Sequence, residues 1–282
     1  MSVRIVTDSA SDLSDAEAAQ LGIVVVPLSI RFGDEEYTDR VDLSVAEFYQ
    51  KMAELDVLPQ TAAPSPGAFE AAFRGLADEG ADGIVCINLS LALSATGQAA
   101  QVGAKAVADL VPVVCLDSKS ITAGLGTMVL AAARAAQAGA SITEIEALIG
   151  QIQPRTRVYG VLDTLDNLKK GGRIGGAKAM LGTMLSIKPC LDLSSGEVAG
   201  AGKQRTRKKA LAWLRTVLEE AGEIEQLAII HGHSPDVESF VDSIVDIIVD
   251  IIPREQIRVS ELGAVIGTHG GPHVLGVCFL TA

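Results

Sequence analysis

The sequence predicts an α/β protein in two parts: an N-terminal parallel-sheet domain over residues 1–156, then a smaller two-layer α/β domain over residues 157–282. Three observations carry this. Short β-branched runs alternate with Ala-rich segments of helical spacing, as parallel strands with crossover helices do. Hydrophobic residues make up 48% of the chain and aromatics only 4%, so the core is built from Val, Ile, Leu and Ala. After about Arg157 the alternation gives way to a glycine-rich stretch, which places the boundary near Gln153-Pro154.

Taken in order, Val3 to Val6 reads as a strand ending at Thr7-Asp8-Ser9, with a helix starting near Ser14. Ile23 to Val26 is a second strand, and after Pro27 the chain stays extended to Phe32. Ser44 to Leu55 has helical spacing, with Ser44 as cap and Glu47 three residues on. Pro59 to Pro66 is a stiff proline-containing loop, with a helix from Gly67. Ile84 to Ile87 is a strand that empties into a loop and a helix opening at Ser94. Val111 to Leu116 is a buried strand, followed by an Ala-rich helix over Ser120 to Gln137. Val158 to Leu162 is extended, whereas Lys169 to Gly176 is too glycine-rich for a regular element. Leu185 to Leu193 is a strand reaching a turn at Ser194-Ser195-Gly196. Arg207 to Glu220 and Val237 to Val249 are helices, and Leu227 to His231, Ile257 to Ser260 and Val274 to Leu280 are strands.

A net charge of −12 opposes general attraction to nucleic-acid backbones or anionic bilayers, and few aromatics are available to stack bases. The four cysteines, Cys86, Cys115, Cys190 and Cys278, are scattered, lack metal-ligand spacing and read as small buried hydrophobes in a reducing cytosol. Met1 to Arg4 lacks the layout of a signal peptide, and Asp246 and Asp250 interrupt the apolar run from Ile244 to Ile252. The expectation is a soluble, cytoplasmic protein.

Several segments could carry chemistry. Ser94 at a helix start could cap that helix or, with its amides, hold an anion. Thr61 sits on the stiff loop, suited to presenting a hydroxyl at low entropic cost. Gly267 to His273 lies between two strands; its glycines permit close backbone approach, and His269 could bond an anion or move a proton. His231 and His233 share a face but lack a third ligand. Gly171 to Lys178 approaches phosphate-loop spacing, yet Ala177 stands where the lysine belongs, and Gly124-Leu125-Gly126 does not extend to a dinucleotide fingerprint. Two basic stretches, Lys169 to Arg173 and Lys203 to Lys209, stand out on an acidic chain and suit docking of an acidic partner. Asp8 and Asp117 end strands, where α/β proteins place functional groups, though capping explains both.

Together these segments resemble the DegV family of bacterial fatty-acid-binding proteins, the lipid-carrying subunits of fatty acid kinase. The resemblance rests on Thr7-Asp8-Ser9-Ala10-Ser11-Asp12-Leu13, Pro59-Gln60-Thr61 with Pro64-Ser65-Pro66, Leu93-Ser94 with Thr96 and Gln98, and Asp117-Ser118. Leu168 to Ile174, Lys188-Pro189, and Gly267-Thr268-His269 with Gly271-Pro272 complete it, in family order over essentially the whole chain. It implies an acyl chain buried in the C-terminal domain, with the carboxylate between the domains at Thr61 and Ser94 and His269 beside it. Arg173, Lys203 and Arg205 would face an ATP-dependent fatty acid kinase subunit that phosphorylates the bound acid. The chain itself would be non-catalytic, need no cofactor or metal, and make at most transient contact with a membrane surface. Gly97 stands in place of the usual tyrosine, Gly270 of a common threonine and His273 of a typical glycine. The competing expectation is a small-molecule hydrolase or transferase using His269 and Asp8.

Overall fold

The computed structural model describes residues 2–55, 57–181, 187–248 and 252–282. In its first half the strands are β1 (Val3–Asp8), β2 (Val24–Val26), β3 (Ser29–Phe32), β4 (Glu35–Thr38), β5 (Gln60–Ala62), β6 (Gly83–Asn88) and β7 (Val113–Asp117). The helices are α1 (Asp15–Leu21), α2 (Val45–Glu54), α3 (Pro66–Asp78), α4 (Thr96–Ala106), α5 (Thr122–Gln137) and α6 (Ile142–Ile152). Ser14 with Glu17, Ser44 with Glu47 and Ser141 with Glu144 each form a reciprocal capping box, satisfying amide groups that a helix start leaves unpaired.

The sheet β2-β1-β6-β7 is parallel throughout. Both faces are covered, which explains why β6 is buried at every position. Phe69 and Phe73 of α3 pack with Val6 and Ile84 on one side, and Leu125 and Met128 of α5 share a core with Ile5 and Val85 on the other. A small antiparallel sheet, β4-β3-β5, lies apart. Thr61 therefore sits on a short strand, pairing with Ile30, within the segment read as a loop.

The second half contributes β8 (Thr156–Val161), α7 (Asp166–Lys170), β9 (Lys188–Asp192), β10 (Ala199–Gln204), α8 (Arg207–Glu219), β11 (Ile224–His231), α9 (Val237–Ile248), β12 (Arg258–Glu261), α10 (Ala264–Gly270) and β13 (Leu275–Thr281). The sheet order is β10-β9-β8-β13-β11-β12, antiparallel except between β11 and β12. Strand alternation splits its side chains between two cores. Val161, Ile229 and Val277 meet Leu214 of α8 and Ile244 of α9, while Val158, Ala228, Ile230 and Cys278 turn toward α5. Thus α5 lies between the two large sheets. A Cβ at Gly124 would come within 2.8 Å of Val158, and one at Gly126 within 2.8 Å of the Ser11 carbonyl. Gly124 and Gly126 thus serve close packing of α5.

Four expectations need correction. α4 starts at Thr96, and its cap, Ala95, offers no side-chain bond, so Ser94 precedes the helix. The segment containing His269 is largely the helix α10, ending at Gly270. The glycine-rich stretch is partly regular, because α7 runs through Lys170 and a 3-10 turn spans Gly175–Met180. α6 and β10 add to the expected elements, and the Ser141/Glu144 pair signals α6. Leu185, Val249 and Asp250, each part of an expected segment, lie outside the described residues. Among the described residues no helix is long and apolar enough to cross a membrane.

Candidate functional site

Between α5, α10 and the inner face of the six-stranded sheet lies a cavity of about 810 Å³, open space at its mouth included. Little of that space is wide, so it forms a narrow slot. Aliphatic side chains form most of the wall: Leu28 and Ile121 from the first half, Val158, Leu191, Ile230 and Val265 from the second. Thr61, Ser94, Thr122, Arg173 and His269 supply polar groups. The structure thus brings together Thr61, Ser94 and His269, which are distant in sequence, and adds Arg173. Lys203 and Arg205 are exposed and lie outside the wall.

Thr61 Oγ1 lies 3.0 Å from His269 Nε2. His269 Nδ1 is buried without a partner. When Nε2–H donates to Thr61, the threonine hydrogen is free to bond an acceptor in the cavity. Ser94 has a matching arrangement. Its Oγ accepts the Thr96 amide at 3.3 Å and lies 2.8 Å from Thr96 Oγ1; with Thr96 donating, the Ser94 hydrogen is free as well. Arg173 is held by two carbonyls, its Nε–H donating to Leu93 at 3.2 Å and its Nη1–H to Gly171 at 2.7 Å. Two hydroxyl donors and a guanidinium at one end of an apolar slot suit one negative group, which could not be buried unpaired.

Neighbouring packing fixes these positions. α10 is tied down at its start, where Asp12 Oδ1 accepts the Gly263 amide at 3.0 Å. Along its length Gly267 rests on α2, and a Cβ there would come within 2.7 Å of the Tyr49 hydroxyl. That glycine serves helix packing, not close approach to a ligand. Gly171 backs the His269 ring, which stands 2.4 Å from where its Cβ would be. The unusual residues also find explanations. A Cβ on Gly97 would strike Leu91 at 2.6 Å, so the leucine occupies the space a larger residue would need. His273 has φ 61°, the left-handed region that favours glycine, and its Nδ1 lies 3.2 Å from Asp163 Oδ2.

Thr61, Arg173 and His269 also border a second, polar opening of about 780 Å³, open space included, with Gln60, Asn167 and Lys170. The three side chains therefore stand between the apolar slot and a polar vestibule. Asp8 is not part of either wall. Its carboxylate accepts from the amides of Ala10 and Leu89 and from Asn88 Nδ2, which shapes the loop leading to Ser94. Burial nevertheless raises its pKa to about 6. Thr122 was not singled out from the sequence; it is fully buried with φ 47°, its hydroxyl stands by the Asp12 carboxylate and lowers that group's pKa, and nothing in its neighbours along the chain marks it.

Burial, reinforced by the charge of Arg173, lowers the His269 pKa from 6.5 to about 4. The unfolded chain then takes the proton first as pH falls, so the stability due to neutral His269 is complete above pH 6.5 and is lost between 6.5 and 4. Asp8 and Asp12, raised to about 6 and 7 by burial, act in the opposite sense, so a variant isolates the effect. Relative to His269→Gln, the protein should lose as much as about 3 kcal/mol over this window. Urea midpoints of both proteins across the range test it; a constant difference would show that His269 does not titrate this way.

Comparison with known proteins gives a consistent picture. The DegV family profile matches residues 2–282. A DegV domain-containing protein of Streptomyces coelicolor is 38% identical over 280 residues, covering 98% of this chain and 97% of that protein. One from Deinococcus radiodurans is 36% identical over 283 residues, covering 98% of each. Among solved structures, a fatty-acid-binding DegV family protein from Thermus thermophilus superposes with a TM-score of 0.90 at 33% identity, covering 100% of both chains. DegV of Bacillus subtilis, a fatty acid binding protein, gives 0.88 at 29% identity, again covering 100% of both.

Proposed function

The chain belongs to the DegV family, and from this we propose that it binds one long-chain fatty acid, tail in the apolar slot and carboxylate at Thr61 and Ser94. The observation that carries the reading is the slot itself, narrow, aliphatic and lined at its polar end by the Thr61 and Ser94 hydroxyls. Burying roughly 14 methylenes at about 0.8 kcal/mol each supplies on the order of 11 kcal/mol before ordering costs. The tail therefore provides most of the grip, and the hydroxyls offset the desolvation of the one charged end. His269, neutral at pH 7, orients Thr61.

The protein acts as a carrier that presents the acid to an ATP-dependent fatty acid kinase subunit in the cytoplasm, for conversion to an acyl phosphate. Support comes from the polar vestibule at the head-group end, bordered by Lys170 and Arg173, and from the exposed Lys203 and Arg205, which offer an acidic partner a basic surface. Transient contact with a membrane surface would serve loading. The hydrolase alternative is weaker because Asp8 is consumed by three hydrogen bonds away from His269. Denaturing solvent extraction of the purified protein, followed by mass spectrometry, should release about one fatty acid per chain. A protein that yields none, even after incubation with fatty acid, is not a carrier of this kind.

A further inference from the structure

Cys86 on β6 and Cys115 on β7 are register partners in adjacent parallel strands. Neighbouring strands lie about 4.8 Å apart, inside the Cα separation of roughly 4.4–6.8 Å that a disulfide spans. Register partners project from the same face of a sheet, so the two sulfurs are neighbours. Their surroundings differ. Cys86 is fully buried and its S–H donates to Asn88 Oδ1 at 3.2 Å. Cys115 is only partly buried, on a strand that forms the edge of its sheet. Cys115 is therefore the less enclosed of the two, at the margin of the core that buries Cys86.

We propose that Cys86 and Cys115 form a modification site, closing to a reversible disulfide when the protein meets a hydroperoxide. Electrostatics agree with this order of events. The neighbouring Cys86 thiol lowers the Cys115 pKa, while burial, followed by that same contact, raises that of Cys86. The Cys115 thiolate is the first nucleophile. It attacks the peroxide, the O–O bond breaks, and the sulfur is oxidised to a sulfenic acid as hydroxide (or alkoxide) leaves. The Cys86 thiol then attacks that sulfur, forming the S–S bond and releasing water that carries away the thiol proton. A dithiol reductant reverses the sequence. Cys190 and Cys278 have no such partner among the described residues, and burial pushes both thiols up to about 12. The inference is independent of what the cavity binds.

Trypsin separates the two cysteines, because cleavage after Arg74, Lys105 and Lys119 places Cys86 on 75–105 and Cys115 on 106–119. The purified protein, treated with hydrogen peroxide, then alkylated and digested, should yield these peptides cross-linked. Its thiol count under denaturing conditions should fall from four by two, with Cys190 and Cys278 alkylated as before, and dithiothreitol should restore both peptides. In Cys86→Ser the sulfenic acid has no resolving thiol, so Cys115 should proceed to sulfinic or sulfonic acid. Recovery of Cys115 from the wild-type protein as a higher acid, or as an unreacted thiol, with no cross-linked peptide would overturn the proposal.

Discussion

Gly160→Phe should cost the protein its fatty acid while leaving it folded. Gly160 lies on β8 with its missing side chain directed at the cavity, and a Cβ there would meet nothing closer than the Leu275 carbonyl at 4.0 Å. Its backbone is ordinary for a strand, so a larger residue adds no conformational strain. A phenyl ring in a slot this narrow displaces about five methylenes, worth on the order of 4 kcal/mol, or roughly a thousandfold in affinity. Gly160→Ala adds one methyl group and should bind almost normally. Extraction of the co-purified lipid and a fluorescent fatty-acid titration, with circular dichroism as the folding control, measure the effect. A phenylalanine variant that carries its usual complement of lipid would place the acyl chain elsewhere.

The second large effect concerns the other end of the ligand. Thr61→Ala together with Ser94→Ala leaves the carboxylate facing the slot without its two hydroxyl donors. Hydrogen bonds to charged groups contribute about 1.5–3 kcal/mol each, so the double variant should bind fatty acid at least about a hundredfold more weakly, with each single variant between. The matching fatty alcohol, which carries no charge to satisfy, should lose much less. Equal losses for acid and alcohol would mean that the substitutions damaged the slot, and unchanged acid affinity would remove both residues from the head-group site. Neither change opens a large void, because each removes only a partly buried hydroxyl or a hydroxyl and a methyl.

How much of this was legible in the chain depends on the range of the interaction. Helix starts marked by Ser14 with Glu17 and Ser44 with Glu47 were readable because a capping box is complete within four residues. The same signal at Ser141 and Glu144 would have revealed α6. The parallel sheet was readable because β-branched runs and Ala-rich spacing are local patterns, and Thr61, Ser94 and His269 came from family resemblance to segments in the same order. Less legible were elements whose local signals conflict with their packing. α10 holds two glycines in seven residues and is helical because Asp12 anchors its start and α2 lies against Gly267. Ser94 stands one residue before the cap position, and its hydroxyl bonds the amide and hydroxyl of Thr96, two residues on, and not the amide three residues on that a capping serine takes.

The sequence by itself determined the fold class and the aliphatic character of the interior, since composition, periodicity and caps act over a few residues. Only the tertiary structure decided that an apolar slot exists, that Arg173 stands in its wall beside His269, and that the Asp8 carboxylate is hydrogen-bonded into the loop leading to Ser94. The physical reason is that a cavity is space left between elements far apart in the chain. Its shape and the pKa values within it follow from which groups exclude water together, a property no single segment possesses.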